Sequence, residues 1–231
     1  MLTSILKNIF IKNRNIYYDE SSIFFHSLKD IMGHYFVRDE YLIELSKNKS
    51  VLHFGFLDSP FLREKIQQET LLHIRIGKQA RYLWGVDIDE KSLKEYREIT
   101  KDRNNCICDL QIEQQRKIKF SGYDLILFPE ILEHLINPGI ALMNLHRISL
   151  ANNRAQVCIT VPNAFSRTGY AAALRGVELV HPDHYYYFSP ITLQKILSDS
   201  GFINIKIYFY NHFAGDSPGI THHGLIALCG T

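Results

Sequence analysis

The sequence predicts an α/β fold built on a doubly wound, mostly parallel sheet, and three observations predict it. Short apolar runs alternate with segments of helical spacing, the links between them are short, and one run, Leu125 to Phe128, is apolar at every position. A strand with one wet face alternates polar and apolar residues. A strand without alternation is covered on both faces, which calls for helices on either side of a parallel sheet. The run belongs to YDLILFPEILEHL, residues 123–135, and stops at Pro129. Glu130, Glu133 and His134 follow at i, i+3 and i+4, so a helix starting after Pro129 puts all three side chains on one face. Open parallel sheets bind ligands at the carboxyl ends of their strands, which makes these residues the candidate site.

Residues 1–50 have helical spacing (Ile5, Ile9, Phe10; Leu28, Ile31, Met32, Tyr35; Tyr41, Leu42, Leu45) and precede the alternation. They are read as an N-terminal helical cap, either a lid or plain packing against the sheet, and residues 51–231 as the main domain. Val51 to Phe56 is the first strand. Its loop, Leu57 to Pro60, leads to a helix over about residues 61–80, where Pro60 suits the first turn and Asp58 or Ser59 the cap. Tyr82 to Ile88 is the second strand, followed by a helix from Lys91 to Thr100, and Cys106 to Leu110 is the third. After the fourth strand come a helix over 140–148 and a fifth strand, Gln156 to Val161. Alternation lapses from Ala164 to Tyr187, an insert of a length that is usually functional. Pro190 opens a helix that Gly201 ends, and Ile203 to Tyr210 and His222 to Cys229 close the sheet as an antiparallel pair.

The 231 residues, 46% hydrophobic and 22% charged, suffice for one sizeable core. With 26 basic against 24 acidic residues and no long basic block, the charge balance argues against nucleic acid as a partner. Cys106, Cys108, Cys158 and Cys229 lack structural-zinc spacing and are read as free thiols of a reducing compartment. No stretch approaches the roughly 18 uninterrupted apolar residues of a membrane span. The start, MLTSILKNIFIKNRN, is broken by Lys7, Asn8, Lys12 and Asn13 and has no small-residue cleavage site. A soluble, cytoplasmic protein is expected, with a weak amphipathic surface helix at the N-terminus as an alternative.

In order along the chain, VLHFGFLDS (51–59), GVDID (85–89), CDL (108–110), YDLILFPEILEHL and HPDHYYYFSPITLQKILSDSGF (181–202) resemble the motifs of class I S-adenosylmethionine-dependent methyltransferases, over about residues 50–230. The resemblance implies a Rossmann-like sheet of seven strands, S-adenosylmethionine as cofactor, and a catalytic domain over 51–231. It places Gly55, Phe56 and Asp58 in the loop that approaches the nucleoside, where glycine lets the backbone come close. It puts Asp87 on both ribose hydroxyls, with Asp89 as the alternative, and Asp109 on the adenine amino group with Leu110 in the same turn. Phe56 and Ile88 would line adenosine; ordinary core is the alternative for both. The family's G-x-G-x-G pattern falls on Gly55, Leu57 and Ser59, so only the first glycine is kept. Leucine does not take positive φ cheaply, so either the loop has another shape or the cofactor sits differently. Asp58 either fixes that loop or meets the methionine ammonium.

Similar O-methyltransferases, acting on ubiquinone precursors and on the terminal ribose of small RNAs, use E-x-x-E-H and a downstream histidine as ligands of a divalent metal such as Mg²⁺. The matching residues are Glu130, Glu133, His134 and His184. A metal on both hydroxyls of a vicinal diol lowers the pKa of the one to be methylated. Two alternatives stand beside it: His134 or His184 alone as general base, or a purely structural Glu-His pair bracing the helix. His181 is the weaker ligand because Pro182 separates it from the matching register. Tyr185, Tyr186 and Tyr187 would wall a sugar or aromatic acceptor, with at least one ring turned inward. Arg167 and Arg175 either hold an acceptor phosphate or carboxylate or are solvated charges.

The implied activity is methyl transfer to a hydroxyl of a small molecule or glycan precursor, with cell-envelope polysaccharide synthesis as a setting suggested by analogy alone. Competing readings are a non-catalytic interaction or regulatory protein that keeps the fold, suggested by the lost glycines, and, more weakly, an RNA ribose methyltransferase. A nicotinamide-dependent oxidoreductase is disfavoured because G-x-G-x-x-G is absent.

Overall fold

Both faces of the strand at residues 125–129 are covered, as its unbroken apolar run requires. Leu125 and Leu127 pack on one side with Leu42 and Ile76, and Ile126 and Phe128 on the other with Leu142, Leu145, Leu193 and Leu197. The structure, a computed structural model, describes residues 35–112, 121–212 and 221–231. In chain order the elements are β1 (Tyr35–Val37), α1 (Arg38–Ser46), β2 (Ser50–Phe54), α2 (Leu62–Gln67), α3 (Leu72–Gly77), β3 (Tyr82–Asp87), α4 (Glu90–Thr100) and β4 (Asn105–Ile107). They continue with β5 (Leu125–Pro129), a 3-10 turn (Leu132–His134), α5 (Pro138–Ala151), β6 (Gln156–Pro162), α6 (Arg167–Ala173), α7 (Pro190–Asp199), β7 (Ile203–Asn211) and β8 (Gly224–Gly230).

The strands form one sheet in the order β1-β7-β8-β6-β5-β2-β3-β4. β8 is inserted antiparallel between β6 and β7, and the other pairings are parallel. The expected doubly wound sheet with an antiparallel last pair is therefore present, with eight described strands instead of seven. The additional strand, β1, comes from residues expected to be helical and adds to the β7 edge. Residues 1–34 of the expected cap lie outside the described residues. The strand order reverses between β2 and β5, and that reversal leaves a crevice at their carboxyl ends.

Local chemistry sets most boundaries. Asp89 caps α4 by accepting from Ser92 N–H, and Ser189 and Thr192 form a reciprocal capping box with Pro190 at the start of α7. The single helix expected over 61–80 is instead two short ones, α2 and α3, interrupted where Glu69 takes φ 55°. The cap of α2 is Phe61 with no side-chain bond, so neither Asp58 nor Ser59 fills that role. The insert before α7 contains the short helix α6. All four cysteines are free, and no described helix is long and apolar enough to cross a membrane.

Beneath the sheet edge, His53 of β2 and His73 of α3 are both buried, with their Nδ1 atoms 3.1 Å apart. One donates and the other accepts, so the accepting ring is neutral. Burial holds His73 down at about 3 and His53 well below its ordinary value, the latter also through its neighbour His73. The unfolded chain takes up these protons below about pH 6.5 while the folded chain does not. This contribution is intact above pH 6.5 and declines as pH falls toward 3, by up to about 1.4 kcal/mol per unit for each ring. Urea unfolding of His73→Phe between about pH 4.5 and 7.5 is expected to show a flatter pH dependence than wild type; an unchanged slope would contradict the neutral pair.

Candidate active site at the carboxyl edge of the sheet

β5 ends on Pro129 and the chain turns at once. The expected helix does not form: Glu130 takes φ 49°, and only the short 3-10 turn follows. Glu130, Glu133 and His134 consequently do not share a face. Glu130 is directed back to the sheet, where its Oε1 accepts from Thr160 Oγ1 at 2.7 Å and its Oε2 lies 3.9 Å from the Arg38 guanidinium. Burial and then the Glu130 charge raise the pKa of the nearby Tyr210 hydroxyl. The Tyr210 ring lies flat against Gly224, where any Cβ would collide with it. Arg38, at the start of α1, lies outside the stretch that carried the family resemblance, and no sequence signal marked it.

Glu133 turns the other way and is completely buried. Neither of its carboxylate oxygens has a hydrogen-bond partner from another described residue. Burial, and then the nearby charge of Glu130, push its pKa up to about 9. Its Oε1 is 3.9 Å from His134 Nε2, and the His134 and His184 rings meet edge to face with centroids 4.5 Å apart. Glu133, His134 and His184 thus offer three ligand atoms within 4.8 Å of one another. The insert is fastened over them by two bonds: Tyr185 N–H donates to the Glu133 carbonyl at 2.8 Å, and His134 Nδ1 lies 3.2 Å from the Asp183 carbonyl. His181 packs beside His184, their ring centroids 5.0 Å apart, outside the group of three convergent ligand atoms. These residues line a cleft of about 600 Å³ with Arg38, His53, Gly55 and Lys65.

A second, smaller cleft of about 70 Å³ shares Gly55 and is lined by Asp87, Ile88, Asp109, Leu110 and Ile131 among others. Apart from Ile131, these are positions the resemblance assigned to the cofactor. Gly55 takes φ 66°, and a Cβ there would sit 2.7 Å from Ile131 Cδ1, so only glycine lets Ile131 lie across it. Sites for small-molecule ligands occupy roughly 300–1,000 Å³, and Ile131, lying against Gly55, is one of the side chains that narrow this one. Asp87 Oδ1 accepts from the N–H groups of Ile88 and Asp89, and Oδ2 from that of Leu57. One of about four acceptor positions is left, enough for one ribose hydroxyl and not both.

Other assignments change. Phe56 is buried against Gly85, His73 and Tyr96, in a core separate from the small cleft, while Ile88 is exposed beside that cleft. Leu57 keeps negative φ, and Asp58 takes φ 50° in its place, paired with Lys65. Asp89 is committed to its helix cap. None of the three tyrosines turns inward: Tyr185, Tyr186 and Tyr187 are all exposed, and the hydroxyls of the last two donate to the Ile136 and Leu179 carbonyls.

Between about pH 4.5 and 9 the folded chain keeps a proton on Glu133 that the unfolded chain has lost, so stability falls as pH rises through that window. Glu133→Gln is expected to raise Tm in metal-free buffer at pH 8, by about 2–4 °C for each kcal/mol recovered, with no gain near pH 4. An unchanged Tm at both pH values would contradict the protonated carboxyl.

No protein-family model matches the chain, and no curated protein matches it by sequence. Solved structures do. An S-adenosylmethionine-dependent methyltransferase from Archaeoglobus fulgidus superposes with a TM-score of 0.55 at 17% identity, covering 100% of both chains. A methyltransferase from Thermotoga maritima, described as a possible histamine N-methyltransferase, gives 0.54 at 15% identity over 84% of this chain and 89% of that one. The methyltransferase domain of bacterial CtHen1-CN gives 0.53 at 16% identity over 84% and 98%. The fold of this chain is that of the S-adenosylmethionine-dependent methyltransferases.

Proposed function

We propose that the protein transfers a methyl group from S-adenosylmethionine to a hydroxyl of a small molecule or glycan precursor. The observation that carries this reading is that the two clefts meet at Gly55. One holds the acids suited to a nucleoside, and the other holds imidazoles suited to removing a proton, beside the buried Glu133 carboxyl. Bound in the first, the cofactor supplies an electrophilic sulfonium methyl. Asp87 accepts a ribose hydroxyl, and Asp109 and Leu110 border the base.

His134 and His184 supply the proton acceptor. His184 is held below its ordinary value by burial and by the neighbouring His134 and His181, so its ring is neutral near pH 7 and has a lone pair to offer. Glu133, protonated when alone, would ionise beside any cation that neutralises it. Its buried, unpartnered oxygens fit a divalent ion held together with His134 and His184, which would lower the pKa of a bound hydroxyl. Glu130 contributes its negative field and its anchoring to Thr160 and Arg38. A cell-envelope glycan precursor in the cytoplasm is the setting that family analogy favours.

Incubation with methyl-labelled cofactor and a panel of catechols, polyols and sugar nucleotides tests the reading. Wild type is expected to label a hydroxyl acceptor, and Glu133→Gln with His134→Ala to lower the rate by about 10²-fold or more. Wild-type rates in the double variant would move the chemistry elsewhere. Label in no acceptor would favour a non-catalytic role for the fold.

A further inference from the structure

We propose that the larger cleft selects an acceptor that carries a protonated amine beside the hydroxyl to be methylated, such as an amino alcohol, an amino sugar or an aminoalkyl catechol, and rejects acceptors that carry a phosphate or carboxylate. The proposal rests on the hydroxyl methylation put forward above. Its first support is the balance of charge along the walls. Asp39, Asp58, Glu130 and Asp183 line the cleft against two cations, Arg38 and Lys65, a surplus of two carboxylates. Glu133 stays out of this count: protonated it adds nothing, and ionised beside a divalent ion it leaves one positive charge, which the surplus outweighs.

Neither cation is open to an anionic ligand. Arg38 Nε donates to Asp39 at 2.9 Å, and the same guanidinium lies 3.9 Å from Glu130; Lys65 pairs with Asp58. Arg75 also reaches Asp39 at 3.7 Å, but Glu40 matches it at 2.6 Å. Asp183 has no Lys or Arg partner among the described residues and lies 3.9 Å from His181. Arg167 and Arg175, the sequence candidates for an acceptor phosphate or carboxylate, lie outside the cleft lining, and Arg175 donates to the Ala171 carbonyl. An acceptor phosphate would therefore meet carboxylates and cations that already have partners, the arrangement that excludes a wrong ligand.

The second support is a polar atom that a ligand would satisfy. His53 lines the same cleft, is 1% exposed, and has no hydrogen-bond partner for Nε2 among the described residues. With Nδ1–H donating to His73, Nε2 offers its lone pair, and an ammonium N–H is the matching donor. Burial, and then His73, keep this ring neutral, so it does not repel a cation. The third support is Phe61, 56% exposed on the same lining, whose ring face attracts an ammonium through its quadrupole. The cofactor's own net positive charge is met by Asp87 and Asp109 in the other cleft.

Calorimetric titration of the full chain, saturated with S-adenosylhomocysteine, against two matched series tests the selection: dopamine, homocatechol and protocatechuate, and glucosamine, glucose and glucuronate. Within each series that binds, the amine is expected to bind about ten-fold or more tighter than the uncharged member and the acid about ten-fold or more weaker, with the gap narrowing in about 0.5 M salt. Asp183→Asn is expected to cut the amine preference about three-fold. Equal affinities within a series, or tightest binding by the acid, would overturn the selection and leave hydroxyl methylation standing. No binding by either series to a chain that binds S-adenosylhomocysteine would overturn the selection as well, and a chain that fails to bind S-adenosylhomocysteine would overturn the methyl-transfer reading itself.

Discussion

The turn at Glu130 is the constraint on which the site depends. β5 is buried at every position and carries only apolar side chains, so its chemistry starts only where it leaves the sheet. A non-glycine residue at φ 49° costs about 1–2 kcal/mol, and Glu130 is kept there by its bonds to Thr160, through the side chain and through the backbone at 2.9 Å. That one sharp turn places three side chains. Glu130 faces the sheet, Ile131 falls across Gly55, and Glu133 is driven into a space where nothing solvates it. An α-helix in the same place would have stacked the acids together and left Gly55 open.

From this geometry the two clefts acquire opposite characters. The smaller is walled by apolar residues with acids at its edge, which suits an aromatic base and a sugar. The larger collects imidazoles around a carboxyl that burial and a neighbouring charge keep protonated. A group so poorly matched to its surroundings destabilises the fold, and such mismatches concentrate where a ligand relieves them. Ile131 links the two clefts, since the side chain that narrows the nucleoside cleft is next in sequence to the acid anchored beneath the acceptor cleft.

Much of the fold was legible in the sequence because burial writes itself into periodicity. The apolar run of β5, the helix from Lys91 to Thr100, the helix opened by Pro190 and the antiparallel closing pair all followed from residue pattern. The site was legible in composition but not in arrangement. Pro129 was read as a helix start, whereas positive φ at a glutamate carries no sequence signature. Phe56 looked like a ligand contact because it sits in the loop, yet Gly85 leaves a space in the core that its ring fills. The missing second glycine gives the loop another shape, with positive φ at Asp58 and not at Leu57. His181 was discounted because Pro182 broke a linear register, and it stays outside the convergent ligand atoms; a bond from Tyr185 to the Glu133 carbonyl, between residues far apart in sequence, brings the insert back over the site.

Direct calorimetric titration of the purified protein with S-adenosylmethionine tests the central claim that this fold keeps a working cofactor cleft. Wild type is expected to bind at one site, with Asp87→Ala weaker by about 1.5–3 kcal/mol for the lost bond to a charged acceptor and Ile131→Ala at least as tight as wild type, because the side chain lying across Gly55 no longer narrows the cleft. No heat at about millimolar cofactor, a concentration that still reveals affinities near −4 kcal/mol, would contradict the account and leave a methyltransferase fold used for another purpose.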